Sequence, residues 1–176
     1  MNTGQTLMTI GAMFLLAVTV LNVNKNFNTT TEILNDSKIR ILAVSVATSM
    51  LEEASSKSFD EQTDTAAVAS ISSLTAVSSL GLDGSENSSN HRTLNDFDDY
   101  NAYKTTPILD SISILKDCPK IVFKIFCKVD YVSSSSPSVV STTRTWHKKM
   151  QIKVTSSAMG TDTIKMNTIY SYWYFR

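Results

Sequence analysis

The chain has 176 residues carrying 16 basic and 16 acidic side chains, so its formal charge is zero and no general attraction to nucleic acid is indicated. That length suits one domain with an appendage, and abundant Ser and Thr beside five Gly and three Pro fit a surface β-rich domain better than a cytosolic enzyme. Two cysteines, Cys118 and Cys127, allow at most one disulfide and offer too few soft ligands for zinc.

Residues 1–24 contain no charged side chain. A helix rises about 1.5 Å per residue, so the apolar block Leu7 to Val23 approaches the ~30 Å hydrocarbon thickness of a bilayer. Thr9 and Thr19 interrupt it, but a helix satisfies threonine hydroxyls on its own carbonyls. Three uses compete for such a block: a cleaved secretory signal, a plain membrane anchor, and a helix that lies first in a membrane and then in a protein polymer. A signal peptide would want a basic leader and a small-x-small cleavage site, but no Lys or Arg precedes the block and the helical pattern runs straight through the place where cleavage would fall. Beyond the block, Ile33, Leu34, Ile41, Leu42, Val44, Ala47 and Leu51 recur at three- and four-residue steps, while Glu32, Asp36, Lys38, Arg40, Glu52, Glu53 and Lys57 fall mostly on the other side. The spacing predicts one helix continuing to about Lys57, greasy all round at first and amphipathic later.

Residues 55–95 are rich in Ser, Thr, Asp and Asn, and predict irregular structure with one short helical turn. Gly81, Asp83-Gly84 and Asn87 to Asn90 mark chain reversals. From Ile121 the period changes to two: Ile121, Phe123, Ile125, Cys127, Val129 and Tyr131 alternate with a mostly polar set. Trp146 to Val154 and Ile164 to Phe175 alternate in the same way, and Pro107 to Leu115 adds a fourth segment. Strands joined by short polar connections predict an antiparallel meander, whose apolar face needs a cover that the helix stripe can supply. The expected fold class is α+β, with a helix at 1–57 and a head at 58–176, irregular over 58–106 and meandering over 107–176.

The catalytic inventory is thin. His147 lies on the polar side of its strand and is expected to face solvent; the other histidine is His91. No serine sits in a Gly-x-Ser-x-Gly elbow and no glycine-rich phosphate loop occurs. Asp96, Asp98 and Asp99 offer oxygen ligands suited to Ca²⁺ but lack the spacing and distal Glu of an EF-hand, so solvated turn carboxylates are expected. Accordingly no enzyme activity, cofactor or metal is expected. Nine extended residues would hold Cys118 and Cys127 about 30 Å apart, so a disulfide requires the chain to fold back at Asp117 to Lys120; separate buried thiols are the other outcome. The aromatic run Tyr170 to Phe175 is expected to pack in the sheet.

At Gly4-Gln5-Thr6-Leu7-Met8, and again at the Asp-rich, Tyr-containing Asn95 to Tyr103, the chain resembles the type IV pilin family. The resemblance covers the N-terminal third well and the remainder in outline. It implies cleavage by a prepilin peptidase between Gly4 and Gln5. It also implies a helix that anchors the subunit in the inner membrane until pilus assembly machinery builds it into a filament. Leu7, Thr9, Gly11, Phe14, Val18 and Leu21 would then line the filament core. Two departures are plain. The family's Glu four residues after its first mature residue is replaced here by Thr9, and the first basic residue, Lys25, follows the apolar block instead of preceding it. The expectation is a self-assembling subunit of an extracellular pilus-like filament at the cell surface, with copies of itself as partner and no nucleic acid. The alternatives are a minor pseudopilin of a secretion system and a membrane-anchored ligand-binding ectodomain.

Overall fold

The computed structural model of the protein describes residues 2–84, 86–88, 90–112 and 120–173. Helix α1, Thr3–Ser55, is unbroken. A second helix, α2, is a single turn at Glu61–Asp64, and the connection onward to the sheet uses short 3-10 turns. Strands β1 (Ile108–Ile112), β2 (Ile121–Tyr131), β3 (His147–Ser156) and β4 (Thr163–Ser171) follow in the spatial order β1-β2-β3-β4, every neighbouring pair antiparallel. This is the expected meander. The architecture is α+β, a long N-terminal apolar helix packed on a C-terminal four-stranded antiparallel sheet.

The chain divides into compact units at 1–39 and 40–176, and α1 contributes to both. Within the second unit α1 buries Ala43, Val46, Ala47, Met50, Leu51 and Ala54, a set spaced by threes and fours along one helical face. Ala43, Ala47 and Ala54 are fully buried. With only methyl groups there, the helix backbone can lie close to what covers it. Val46 and Met50 share the wall of a cleft with Ile108 and Ile125 of the sheet. Arg40 adds an exposed ion pair with Asp162 in the β3–β4 connection, the kind of contact worth at most about 1 kcal/mol.

On β2 the alternation read from sequence is the alternation of burial: Phe123, Ile125, Cys127, Val129 and Tyr131 are buried, while Val122 and Lys124 are exposed. On β3 the inward set is Lys148, Met150, Ile152 and Val154. The register pairs Ile125 with Val154, Cys127 with Ile152 and Val129 with Met150, so the inner faces of the two central strands are continuous. A second cluster forms around Phe59, Val68, Leu74 and Tyr131, with Trp146, Tyr170 and Tyr172 packed against it. Tyr170 meets Phe59 edge-on at 5.6 Å and Phe97 at 5.2 Å, and Trp146 stacks on Tyr172 at 5.5 Å. Of the C-terminal aromatics, Tyr170 and Tyr172 therefore pack in the head, Trp173 is exposed, and Tyr174 and Phe175 lie outside the described residues.

The head thus begins inside α1. Val46, Met50 and Leu51 alone bring roughly 1.5–3 kcal/mol each by burial, a large share of the ~5–15 kcal/mol that stabilises a whole domain. A fragment spanning 40–176 is expected to unfold cooperatively in urea, whereas 58–176 loses its helical cover and should show a broad, non-cooperative transition by circular dichroism.

Candidate functional site

Two regions carry what is chemically unusual here: the N-terminal part of α1, and a group of buried charges in the head. In the first, Leu7, Gly11, Phe14, Val18 and Leu21 recur at steps of four and three and so share one face. Leu7 is 76 % exposed and Phe14 and Leu21 each 68 %. Met8, Ile10, Met13, Leu15 and Leu16 are also exposed, so apolar surface surrounds the helix there. Thr9 donates its hydroxyl within its own helix, to Gln5 O at 3.0 Å and Thr6 O at 2.9 Å, and Thr19 donates to Leu15 O at 2.8 Å. The apolar face therefore carries no unsatisfied threonine hydroxyl. A Cβ built on Gly11 meets nothing within the chain. Gly4 and Gln5 lie in the first turns of α1, where the Gln5 amide donates to Asn2 O at 2.8 Å. Among the described residues one helix, α1, is long and apolar enough to cross a membrane.

In the head, Lys148 stands on the apolar face of β3 and is fully buried. Its ammonium donates to Phe59 O at 2.7 Å, to Asp60 Oδ1 at 2.6 Å and to Asp98 Oδ1. Both carboxylates are fully buried as well. The ammonium also lies 4.6 Å from the Phe59 ring centroid and 5.3 Å from that of Tyr131. Asp60 accepts the Thr75 amide at 3.2 and 3.0 Å and the Tyr131 hydroxyl at 3.3 Å. Every donor of Lys148 is thus used, as burial of an ammonium demands.

Beside this ion pair the chain builds a turn on carboxylates. Asp96 Oδ1 accepts the amides of Asp98 at 2.8 Å and Asp99 at 3.0 Å, and Asp99 Oδ2 accepts those of Asn95 at 3.1 Å and Asp96 at 3.0 Å. The expectation of turn-forming aspartates holds, but the expectation that they are solvated does not. All three are fully buried: the oxygens of Asp96 and Asp99 satisfy backbone amides that the packed connection would otherwise leave without partners, and Asp98 accepts the Lys148 ammonium. Burial pushes the Asp96 carboxyl up to about 6. Burial and then the charge of Asp96 push Asp99 up to about 8. Burial also raises Asp98, against the pull of Lys148. Glu61 and Asp83 bring further carboxylates, and Glu86 accepts the Asp83 amide at 3.0 Å.

His147 is half-buried with Nδ1 2.7 Å from Ser171 Oγ, not the fully solvent-facing residue expected; β4 covers it at the register His147–Ser171. Cys127 is buried in β2, which pushes its thiol up to about 12. Cys118 lies outside the described residues, and with it the expected pairing. Lys148 escaped the sequence reading although its parity with Met150, Ile152 and Val154 marks an inward position. Glu61 and Asp83 gave no such signal. No protein-family model, curated protein or solved structure matches the chain.

Two outcomes follow for fragment 40–176. Lys148→Ala leaves Asp60 and Asp98 buried without their counter-charge and should cost about 3–5 kcal/mol in urea denaturation. Second, Asp96 and Asp99 hold protons more tightly folded than unfolded. Their contribution is complete below about pH 4 and is lost as pH rises through about 6 and 8. In chelating buffer the urea midpoint should therefore fall between pH 5 and pH 8.

Proposed function

We propose that the protein is a structural subunit that self-assembles through the N-terminal part of α1 into a pilus-like filament at the cell surface, anchored in a membrane beforehand. The observation that carries this reading is the exposed apolar surface of α1, from Leu7 to Leu21, on a chain whose head buries a core of its own. Surface of that kind is stable only in lipid or against other apolar helices. Copies related by a rotation and a rise that does not close form an open filament, a heterologous assembly. In it the same helix exchanges lipid for its neighbours, so van der Waals packing and not water exclusion supplies most of the driving force.

Gly11 then has a role. Small residues let helix backbones approach closely in apolar surroundings. With Thr9 in place of a carboxylate and its hydroxyl bonded within its own helix, axial register rests on shape rather than on an ion pair. Catalysis has no part in this proposal, and the inner membrane and an assembly machinery are its implied partners.

Electron microscopy of material sheared from cells is the direct test, and filaments composed of this chain are expected. Val18→Asp places a carboxylate in hydrocarbon at a cost of about 2.5–3.5 kcal/mol and should abolish them. Gly11→Leu, whose Cβ would meet nothing within 4 Å in the chain, should abolish or distort them too, whereas Thr9→Ser should be tolerated. Filaments should persist in high salt. Normal filament yield from Val18→Asp would refute the proposal. Intact mass of the surface form reads processing separately, with a chain starting at Gln5 expected from cleavage after Gly4.

A further inference from the structure

Three segments far apart in the chain bring carboxylates to one place. Glu61 opens α2, Asp83 lies in the turn before Gly84, and Asp96 begins the aspartate turn. One oxygen from each lies within 4.8 Å of the other two. Lys148 does not neutralise this group directly, since its three N–H donors go to Phe59, Asp60 and Asp98. Asp96 is fully buried, and while Oδ1 holds the turn amides, Oδ2 has no partner. The adjacent Asn95 is set the same way. Its Nδ2 donates to Glu61 Oε2 at 3.1 Å, and its Oδ1 is buried without a partner. A buried anionic oxygen with no donor is costly, and here it belongs to a carboxylate that faces two more.

We infer that Glu61, Asp83 and Asp96 form a binding site for a hard divalent cation, with Ca²⁺ the best fit, and that Asn95 Oδ1 is placed to add a neutral oxygen. Ca²⁺ takes six to eight oxygens at 2.3–2.6 Å, so oxygens on opposite sides of the ion stand roughly 4.6–5.2 Å apart. Oxygens within 4.8 Å of one another fit inside such a shell, and three protein carboxylates suit Ca²⁺ better than Mg²⁺, which keeps several waters and is usually held by one or two carboxylates. Carboxylate and amide oxygens without sulfur or imidazole favour Ca²⁺ over transition metals. Half-buried Glu61 and Asp83 leave room for water to complete the shell. The ion would tie α2, the Asp83-Gly84 turn and the 95–99 turn together. The site was not visible as an EF-hand because its ligands come from three segments and not one loop. It does not depend on whether the chain forms filaments.

The test uses the full chain in detergent, stripped with chelator and titrated calorimetrically with CaCl₂ and, separately, MgCl₂, with melting followed by circular dichroism. One Ca²⁺ per chain, a raised Tm and clearly weaker Mg²⁺ binding are expected. Glu61→Gln and Asp83→Asn should each weaken Ca²⁺ binding about ten-fold or more. Both variants should remain folded without metal, since each removes a like charge. Asp96 is spared because its other oxygen holds the turn. Absence of heat and of any Tm shift up to about 10 mM CaCl₂, above the weakest extracellular sites, overturns the site. So does either variant binding like the unaltered chain, and Mg²⁺ binding as tightly as Ca²⁺ overturns the choice of ion.

Discussion

The head is organised around an ammonium group in a place where water cannot reach it. Lys148 rises from the apolar face of β3 and binds Asp60 from the chain just beyond α1 and Asp98 from the turn before β1. Desolvating three charges is expensive, and the cost is offset only where each remaining lone pair and proton finds a partner. Here the Thr75 amide, the Tyr131 hydroxyl and the Phe59 carbonyl complete most of that set. One side chain therefore dictates where two stretches of irregular chain must lie on the sheet.

That matters because the connection between α1 and β1 has little regular structure to order it. A long buried connection must satisfy its own backbone. It does so with polar side chains acting at a distance in sequence. Asn101 donates to Leu80 O and accepts the Val129 amide, tying the 3-10 segment to both the connection and β2. Tyr131 bonds Thr75 O, and Ser58 pairs with Asp96 as an isolated bridge. The Tyr170 ring of β4 closes over both Phe59 and Phe97. Removing the ammonium would loosen a network, since these bonds share residues and are coupled.

Helix α1 obeys two different solvents along its length. Between Ala43 and Ala54 it presents small and medium apolar residues on one face to its own domain, leaving Glu52 and Ser55 exposed. Toward its start the polar face disappears, and the few hydroxyls bond back to the helix itself. The first arrangement suits water on one side. The second suits hydrocarbon or packed helices on all sides, because the threonine hydroxyls are satisfied before the helix meets its surroundings.

Much of this was written in the linear sequence. An uncharged run of 24 residues continuing into three- and four-residue spacing could be little other than one long helix, and period-two alternation placed β2, β3 and β4 and their inner faces. Such patterns are local, so they survive without knowledge of the fold. They report on which side a residue lies and not what meets it there. Lys148 shares the parity of Met150, Ile152 and Val154 but went unread as an inward residue, and only the folded chain supplied Asp60 and Asp98 as its partners, 88 and 50 residues away. The aspartates of the 95–99 turn read as solvated because carboxylates usually are; packing decided otherwise by burying the amides they bind. Glu61, Asp83 and Asp96 share no periodicity at all, and their meeting is a property of chain reversals that no spacing rule encodes. Local pattern determined the elements, and the long-range pairing of charges, which depends on loop paths, was left to the tertiary structure.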